Sequence, residues 1–175
     1  PAAITVIVVN GLGGVVWALA LLGVGVLALH ELYAMLRPVR PVAIAGFLGL
    51  AGLLAAALYG THFHIVLAAV AVIPVLFVLT ALGPARAHAT LAMGTTLLGV
   101  WWVGFALAHA VLLRELPHGN AIVIDVLVGT FVGDSAAYFG GRLFGRRKLA
   151  PRISPNKTVE GLVIGMVAAV AGVVL

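Results

Sequence analysis

The chain has 175 residues, of which 63% are hydrophobic and only 9% are charged. Such a composition excludes a soluble globular domain, because the few polar side chains could not cover its surface. The formal charge of +5 does not indicate nucleic-acid binding, since nearly all the basic residues fall in short gaps between apolar runs. The absence of cysteine excludes disulfides and thiolate metal sites.

Apolar runs separated by short polar gaps predict the fold. A membrane-spanning helix needs about 20 apolar residues, so the sequence predicts an all-α, polytopic transmembrane helix bundle. We expect about five complete spans and a partial span at each end. Because the chain starts without Met and stops inside an apolar run, we interpret it as a fragment of a longer protein. The predicted complete spans are 15–36, 42–59, 65–82, 91–113 and 121–143, with partial spans at 1–9 and from about 158 onwards.

The distribution of basic residues predicts the orientation of these spans. If successive loops alternate between the two sides of a membrane, one side receives nine basic residues and the other receives only Arg114. Basic loops face the cytoplasm, so we expect the basic side to be cytoplasmic. Its members are Arg37, Arg40, Arg86, Arg142, Arg146, Arg147, Lys148, Arg152 and Lys157.

Three pairs of glycines have the four-residue spacing that allows two helices to approach closely in lipid. We interpret them as helix-packing positions, and they leave a homodimer open. The pairs are Gly129/Gly133, Gly141/Gly145 and Gly161/Gly165.

Two aspartates lie in the fifth complete span. Asp125 falls near its start, where the helix dipole and water can keep a carboxylate charged. Asp134 lies nine residues before the predicted cytoplasmic end, roughly 13 Å inside the span at 1.5 Å per residue. Since a buried acid needs a protein interior or water around it, we expect Asp134 to face a polar cavity near Ser135 or Tyr138. The two carboxylates project from opposite faces and could not share one metal ion.

The densest group of polar residues is the predicted cytoplasmic loop at 140–158. Ser154 followed by Pro155 is typical of a helix N-cap with proline at the first helical position. Lys157 would then lie in the first turn beside free backbone N–H groups, with Ser154 and Thr158 as further donors. This arrangement predicts a phosphate site. A capped helix with a solvated basic flank is the alternative, and Glu160 could simply compensate the charge of Lys157.

The segment 133–161 resembles the bacterial phosphatidate cytidylyltransferases. Its family-like features are Asp134-Ser135 with Tyr138, a Phe-Gly basic stretch, Leu-Ala-Pro, and a final Ser-Pro-x-Lys-Thr-x-Glu-Gly run at 154–161. Weaker support comes from His30-Glu31 at the end of an early span. We expect a single membrane domain at 1–175. Within it, the resemblance implies transmembrane spans at 1–132 and the start of the family's motif region at 133–175.

The resemblance implies a reaction of CTP with phosphatidic acid that yields CDP-diacylglycerol and pyrophosphate, requires Mg²⁺, and takes place at the bacterial inner membrane. It also implies roles for eight residues. Lys157 and Asp134 would be catalytic, with Asp134 as a carboxylate ligand of the metal. Substrate binding would fall to Ser154, Thr158, Arg147, Lys148, Arg152 and Glu160.

The family's later metal-binding carboxylate segment is missing from the sequence, so we expect the chain to be inactive alone. Three other interpretations stay open. The chain could belong to a CTP-dependent kinase of polyprenol or another lipid. It could instead be part of a transporter with Asp134 as an ion site and the loop as a binder of anionic lipid, or a purely structural membrane subunit.

Overall fold

The computed structural model describes residue 11 and residues 13–84 and 88–174. Within these ranges the chain forms six helices and one short β-hairpin. The predicted partial helix at 1–9, the start of the following turn at Asn10, and Arg86 lie outside the described residues. The chain divides into two compact units, Pro1–Pro117 and His118–Leu175. The motif-based boundary at 132/133 lies inside a helix of the second unit, and a single membrane domain stays a prediction.

The first unit contains four helices joined by short connections. The first connection holds a 3₁₀ turn at Arg37–Val39, where two prolines prevent the preceding helix from continuing. The fourth helix contains a wider, π-helical turn at Val100–Phe105. The helices are α1 at Gly14–Met35, α2 at Ala43–Tyr59, α3 at His62–Leu82 and α4 at Ala89–Glu115.

A buried polar network ties three helices of this unit together. The Tyr33 hydroxyl of α1 donates a hydrogen bond to the Thr96 carbonyl of α4 at 3.0 Å. The Thr96 hydroxyl accepts the Val42 backbone N–H, just before α2, at 2.8 Å and donates to the Ala92 carbonyl at 2.7 Å. Because Thr96 is fully buried, these bonds satisfy polar groups that would otherwise be costly in an apolar interior.

The second unit is a pair of helices joined by the hairpin. Helix α5 runs over Gly119–Phe144 and helix α6 over Val159–Val174. Between them, strand β1 at Lys148–Ala150 pairs antiparallel with strand β2 at Ser154–Thr158. The hairpin therefore lies at the end of α5, directly before α6 begins.

Small residues form the contact between α5 and α6. A Cβ atom on Gly165 would lie 2.7 Å from Cβ of Ala137 and 2.9 Å from the carbonyl oxygen of Gly133. One on Gly161 would lie 2.7 Å from the Ala137 carbonyl oxygen. A Cβ on Gly129 would lie 2.9 Å from Cγ2 of Val173. The packing role predicted for Gly129/Gly133 and Gly161/Gly165 is thus confirmed, and these glycines pack within one chain. A Cβ on Gly141 or Gly145 would instead meet Thr158, and a homodimer stays a prediction.

The all-α membrane fold predicted from the sequence is confirmed. Helices α1 to α5 correspond to the five complete spans, with every end within three residues of its predicted position. Of the described helices, α1, α3, α4 and α5 are long and apolar enough to cross a membrane, while α2 and α6 are shorter. The partial span predicted from about 158 is confirmed by α6, which begins at Val159. The separate prediction that Ser154-Pro155 opens this helix is wrong, because residues 154–158 pair with β1.

Candidate functional site

The hairpin between α5 and α6 carries the densest positive charge of the second unit. Five cationic side chains lie on it or directly before it, and all five residues are exposed. They cover 12 positions of sequence, so positive charge is concentrated at the end of α5. These residues are Arg146, Arg147, Lys148, Arg152 and Lys157.

Thr158, rather than Ser154, caps helix α6. Its hydroxyl oxygen accepts the backbone N–H of Gly161 at 3.2 Å, the geometry of an N-cap residue three positions before its donor. Thr158 is only 8% exposed and packs beneath Gly141 and Gly145. The expectation that Ser154 caps the helix is therefore wrong, and the hydroxyl of Thr158 is engaged within the protein.

Backbone N–H groups at the start of α6 are paired within the protein. The Val159 N–H donates to the Arg147 carbonyl at 2.9 Å, and the Gly161 N–H donates to the Thr158 hydroxyl at 3.2 Å. A phosphate site on free backbone donors needs N–H groups that are not already paired. The geometry predicted for the phosphate site, with Ser154-Pro155 opening the helix, is therefore corrected, while phosphate binding by the hairpin stays a prediction.

Lys157 lies on strand β2 and not in a helical turn. Side chains alternate between the two faces of a strand, so Lys157 projects away from the face on which Thr158 is buried. The residue is exposed. We expected Lys157 to lie beside the amides of a helix start and on the same helical face as Glu160, and the structure corrects both expectations. The role of Lys157 as a phosphate ligand stays a prediction.

Glu160 is bonded to the backbone that enters the hairpin. Its carboxylate accepts the N–H of Arg146 at 3.0 Å and the N–H of Arg147 at 3.1 Å and 3.3 Å. The carboxylate lies at the polar start of α6, before the apolar run that begins at Leu162. These donors, the Arg146 N–H first, then the N–H of Glu160 itself and that of Arg147, hold the pKa of the Glu160 carboxyl below its ordinary value. Glu160 therefore fixes the hairpin to α6.

A cleft of about 730 Å³ lies beside this contact. It is open on one side, and its walls mix apolar side chains from the end of α5 with the carboxylate of Glu160 and the two arginines. Lys148, Arg152 and Lys157 do not line it. The lining residues are Leu143, Phe144, Gly145, Arg146, Arg147, Val159 and Glu160.

Asp134 heads a polar stripe along α5. Tyr138 and Arg142 follow it at four-residue intervals and so lie on the same side of the helix, and the Arg142 guanidinium donates to the Tyr138 hydroxyl at 3.3 Å. Within the second unit taken by itself, Asp134 is exposed, and its carboxylate has no hydrogen bond or ion pair to any described residue. The sequence reasoning missed Arg142 as a member of this stripe, although its spacing from Tyr138 was the signal.

Asp125 lies on another face of α5 at the end distant from the hairpin. It lines an open, mainly apolar cleft of about 630 Å³ together with Thr130 and residues of α6. The nine-residue separation on one helix keeps its carboxylate roughly 13 Å along the axis from Asp134. The expectation that the two aspartates cannot share a metal ion is consistent with this geometry.

No group of three or more His, Asp or Glu side chains that could hold a metal ion occurs in residues 13–84 and 88–174. Asp134 supplies one oxygen ligand, and the nearby hydroxyls of Ser135 and Tyr138 are neutral. Mg²⁺ is commonly held by one or two carboxylates together with water and substrate phosphates. Among the described residues, a Mg²⁺ ion at Asp134 would therefore have one carboxylate, and water or phosphate oxygens would have to supply its other ligands.

These features define a helical membrane protein with an exposed cationic hairpin and an exposed carboxylate, Asp134, on the helix before it. The chain belongs to the cytidylyltransferase family, whose sequence model matches residues 2–175. It is 43% identical over 76 residues to the phosphatidate cytidylyltransferase of Pseudomonas aeruginosa, and 44% identical over 75 residues to that of Brucella suis. It is also 38% identical over 78 residues to the phosphatidate cytidylyltransferase of Bacillus subtilis.

These similarities are partial. The aligned segments cover 43%, 42% and 44% of this chain and 26%, 28% and 29% of the three relatives, in the same order. The chain therefore spans little more than a quarter of the curated relatives that it matches. No solved structure matches it significantly.

Proposed function

We propose that the chain is part of a phosphatidate cytidylyltransferase of a bacterial inner membrane. A phosphate oxygen of phosphatidic acid attacks the α-phosphorus of CTP, the bond from that phosphorus to the β-phosphate oxygen breaks, and pyrophosphate leaves. CDP-diacylglycerol is the lipid product. The observation that carries the proposal is that the motif region of a cytidylyltransferase family member folds as an exposed cationic hairpin between two apolar helices.

The five hairpin cations supply the charge that such a transfer needs. Phosphoryl transfer depends mainly on positioning and on stabilising negative charge around the phosphorus. Because the N–H groups of Val159 and Gly161 are already paired within the protein, we assign this stabilisation to side chains and not to helix amides. Lys157, an exposed and flexible point charge, is the proposed phosphate ligand. Ser154 lies on the other face of β2 by strand alternation, so its predicted role is not carried into this proposal.

Arg147, Lys148 and Arg152 are proposed to attract the anionic headgroup of phosphatidic acid. They are exposed at the end of a 26-residue apolar helix, the level at which lipid phosphates lie. Charges near a membrane surface attract anionic lipids within about one Debye length. In this proposal, the lipid substrate and the nucleotide bind at one end of α5.

Asp134 is the proposed protein ligand of Mg²⁺. When bound, the ion would neutralise charge on the phosphate oxygens. The role of this chain would be to provide the Asp134 carboxylate on the exposed side of α5, on the same side of the helix as Tyr138 and Arg142. The lone, unpartnered acid in an apolar helix supports the assignment, because a purely structural carboxylate would be expected to have a protein donor.

Transfer of labelled CMP from CTP to phosphatidic acid tests the proposal in the natural protein that carries this sequence, purified in detergent. Lys157→Ala should lower kcat/KM for CTP by about 10-fold to 100-fold, the scale of losing one charge-stabilising donor. Arg37→Ala is the matched control, since it removes an exposed cation from the first unit and should leave turnover unchanged.

Product analysis separates the alternatives. Release of CDP together with a phosphorylated lipid would identify a CTP-dependent lipid kinase. Substrate flux across proteoliposomes without CTP would identify a transporter. Full turnover in Lys157→Ala would remove Lys157 from the site.

A further inference from the structure

The turn of the hairpin exposes an apolar residue among charges. Strands β1 and β2 are joined by Pro151, Arg152 and Ile153, and the turn is closed by the Ile153 N–H donating to the Ala150 carbonyl at 3.1 Å. Ile153 is 89% exposed, the highest value among the large apolar side chains that the structure describes. Turn positions normally carry Gly, Asn, Asp, Ser or Pro, so a β-branched apolar residue here is not explained by the turn itself.

A second exposed apolar side chain lies on the same hairpin. Leu149, between Lys148 and Ala150 on β1, is 42% exposed. The hairpin has too few residues to bury either side chain in a core of its own. Exposed apolar groups beside charges are typical of surfaces that contact a membrane or another protein.

The position of the hairpin decides between these partners. Helix α5 is long and apolar enough to span a bilayer, and its last residues, Leu143 and Phe144, are largely exposed. The hairpin begins four residues after α5 ends, so it lies at the level of the lipid headgroups. Arg152 is next to Ile153 and Lys148 is next to Leu149, which gives each apolar side chain a neighbouring cation for a lipid phosphate.

We propose that the hairpin turn is a membrane-docking surface, with Ile153 inserted among the acyl chains and Arg152 paired with anionic lipid headgroups. Arg152, proposed above to attract the headgroup of phosphatidic acid, here contacts the anionic lipids of the bilayer in general, while Ile153 lies outside the proposed substrate sites. It holds the hairpin down on the membrane, so that its cations stay near the lipid phosphates.

The chain contains no cysteine, which allows single nitroxide labels to be placed without background. Ile153→Cys and, as a matched control on the same hairpin, Asn156→Cys are labelled in the 175-residue chain reconstituted in vesicles. Both positions are exposed, so neither label disturbs a packed core. Collision of the label with oxygen, which concentrates in the bilayer, is compared with collision with a water-soluble nickel chelate.

At position 153 oxygen collision should exceed nickel collision, and at position 156 the order should reverse. The label at 153 should lie deeper in vesicles containing phosphatidylglycerol than in phosphatidylcholine alone, and Arg152→Gln should abolish that difference.

Greater nickel than oxygen collision at 153 would overturn the proposal. Protection of 153 from both reagents would also overturn it, because it would indicate a protein partner. An unchanged depth in the two kinds of vesicle would remove the role of Arg152. None of these outcomes depends on turnover, so they are independent of the proposed reaction.

Discussion

The Thr158 hydroxyl accepts the backbone N–H of Gly161 at 3.2 Å, and this bond caps the start of α6. Thr158→Val keeps the shape of the side chain but removes the acceptor, so it should destabilise the helix start by about 1 kcal/mol. Faster hydrogen exchange at the Gly161 amide, measured in detergent, is the direct readout. Thr158→Ser keeps the hydroxyl and should retain protection. Loss of turnover in Thr158→Val with unchanged exchange would show instead that the hydroxyl serves a substrate.

The contact between α5 and α6 should not tolerate added volume. A Cβ atom on Gly165 would meet Ala137 and Gly133 at 2.7 Å and 2.9 Å, whereas one on Gly52 of α2 has no neighbour within 4 Å. Gly165→Ala should therefore cost roughly 1–3 kcal/mol, the usual effect of overpacking. Gly52→Ala should be neutral or slightly stabilising, since alanine favours a helix over glycine. Thermal unfolding of both variants in one detergent checks this, and equal stability would contradict the observed packing.

Two adjacent threonines of α4 allow a matched test of the buried network. Thr96→Val leaves the Val42 N–H without its acceptor, which should cost about 1–3 kcal/mol. Thr95 is partly exposed, and its hydroxyl only bonds back to the carbonyls of its own helix. Thr95→Val should therefore change the unfolding temperature little. A similar loss in both variants would show that the bond to Val42 is not the stabilising feature.

The sequence predicted the helices well because a membrane-spanning helix is specified by its own apolar run and by the charged residues at its ends. It placed the last apolar span correctly from about 158, but it assigned the helix cap to Ser154 because two cap signals compete. Ser154-Pro155 and Thr158 each precede a possible helix, and local preference favours the first. What decides is the pairing of residues 154–158 with Lys148–Ala150, an interaction between segments that local patterns do not report. Once β2 forms, only Thr158 is left to cap the helix.

The candidate site shows a similar division. The cationic residues and Asp134 could be selected from sequence because charge is rare in this chain. The partner of Glu160 could not, because it consists of the backbone N–H groups of Arg146 and Arg147. Every residue except proline carries such a donor, so no residue pattern identifies the two that are used. The sequence therefore suggested charge compensation of Lys157, whereas the structure shows a carboxylate that binds main chain.

Glu160 should release the hairpin only in acid. The pKa of its carboxyl is lowered from the ordinary 4.5, so its stabilisation of the hairpin is complete above the pKa of the unfolded chain. That stabilisation is lost as the pH falls through the lower, folded pKa. The amide chemical shifts of Arg146 and Arg147 should accordingly stay constant from neutral pH down to about 4.5 and change below it. In Glu160→Gln the shifts should no longer titrate in this range. A change in these chemical shifts above pH 4.5 in the unmodified chain would contradict the bonding of Glu160 to the two backbone N–H groups.

Asp134 and Asp125 offer a test of the metal assignment within one helix. Both residues are exposed carboxylates of α5, but only Asp134 continues into a polar stripe toward the hairpin. Asp134→Asn should lower turnover roughly 100-fold, comparable to removing one charge-stabilising group, and should raise the Mg²⁺ concentration required for half-maximal rate. Asp125→Asn removes the same charge far from the hairpin and should keep both values. If the two variants lost activity equally, the loss would follow from removing any charge from this apolar helix and not from removing a metal ligand. If Asp134→Asn kept its Mg²⁺ dependence, its carboxylate would not be a metal ligand.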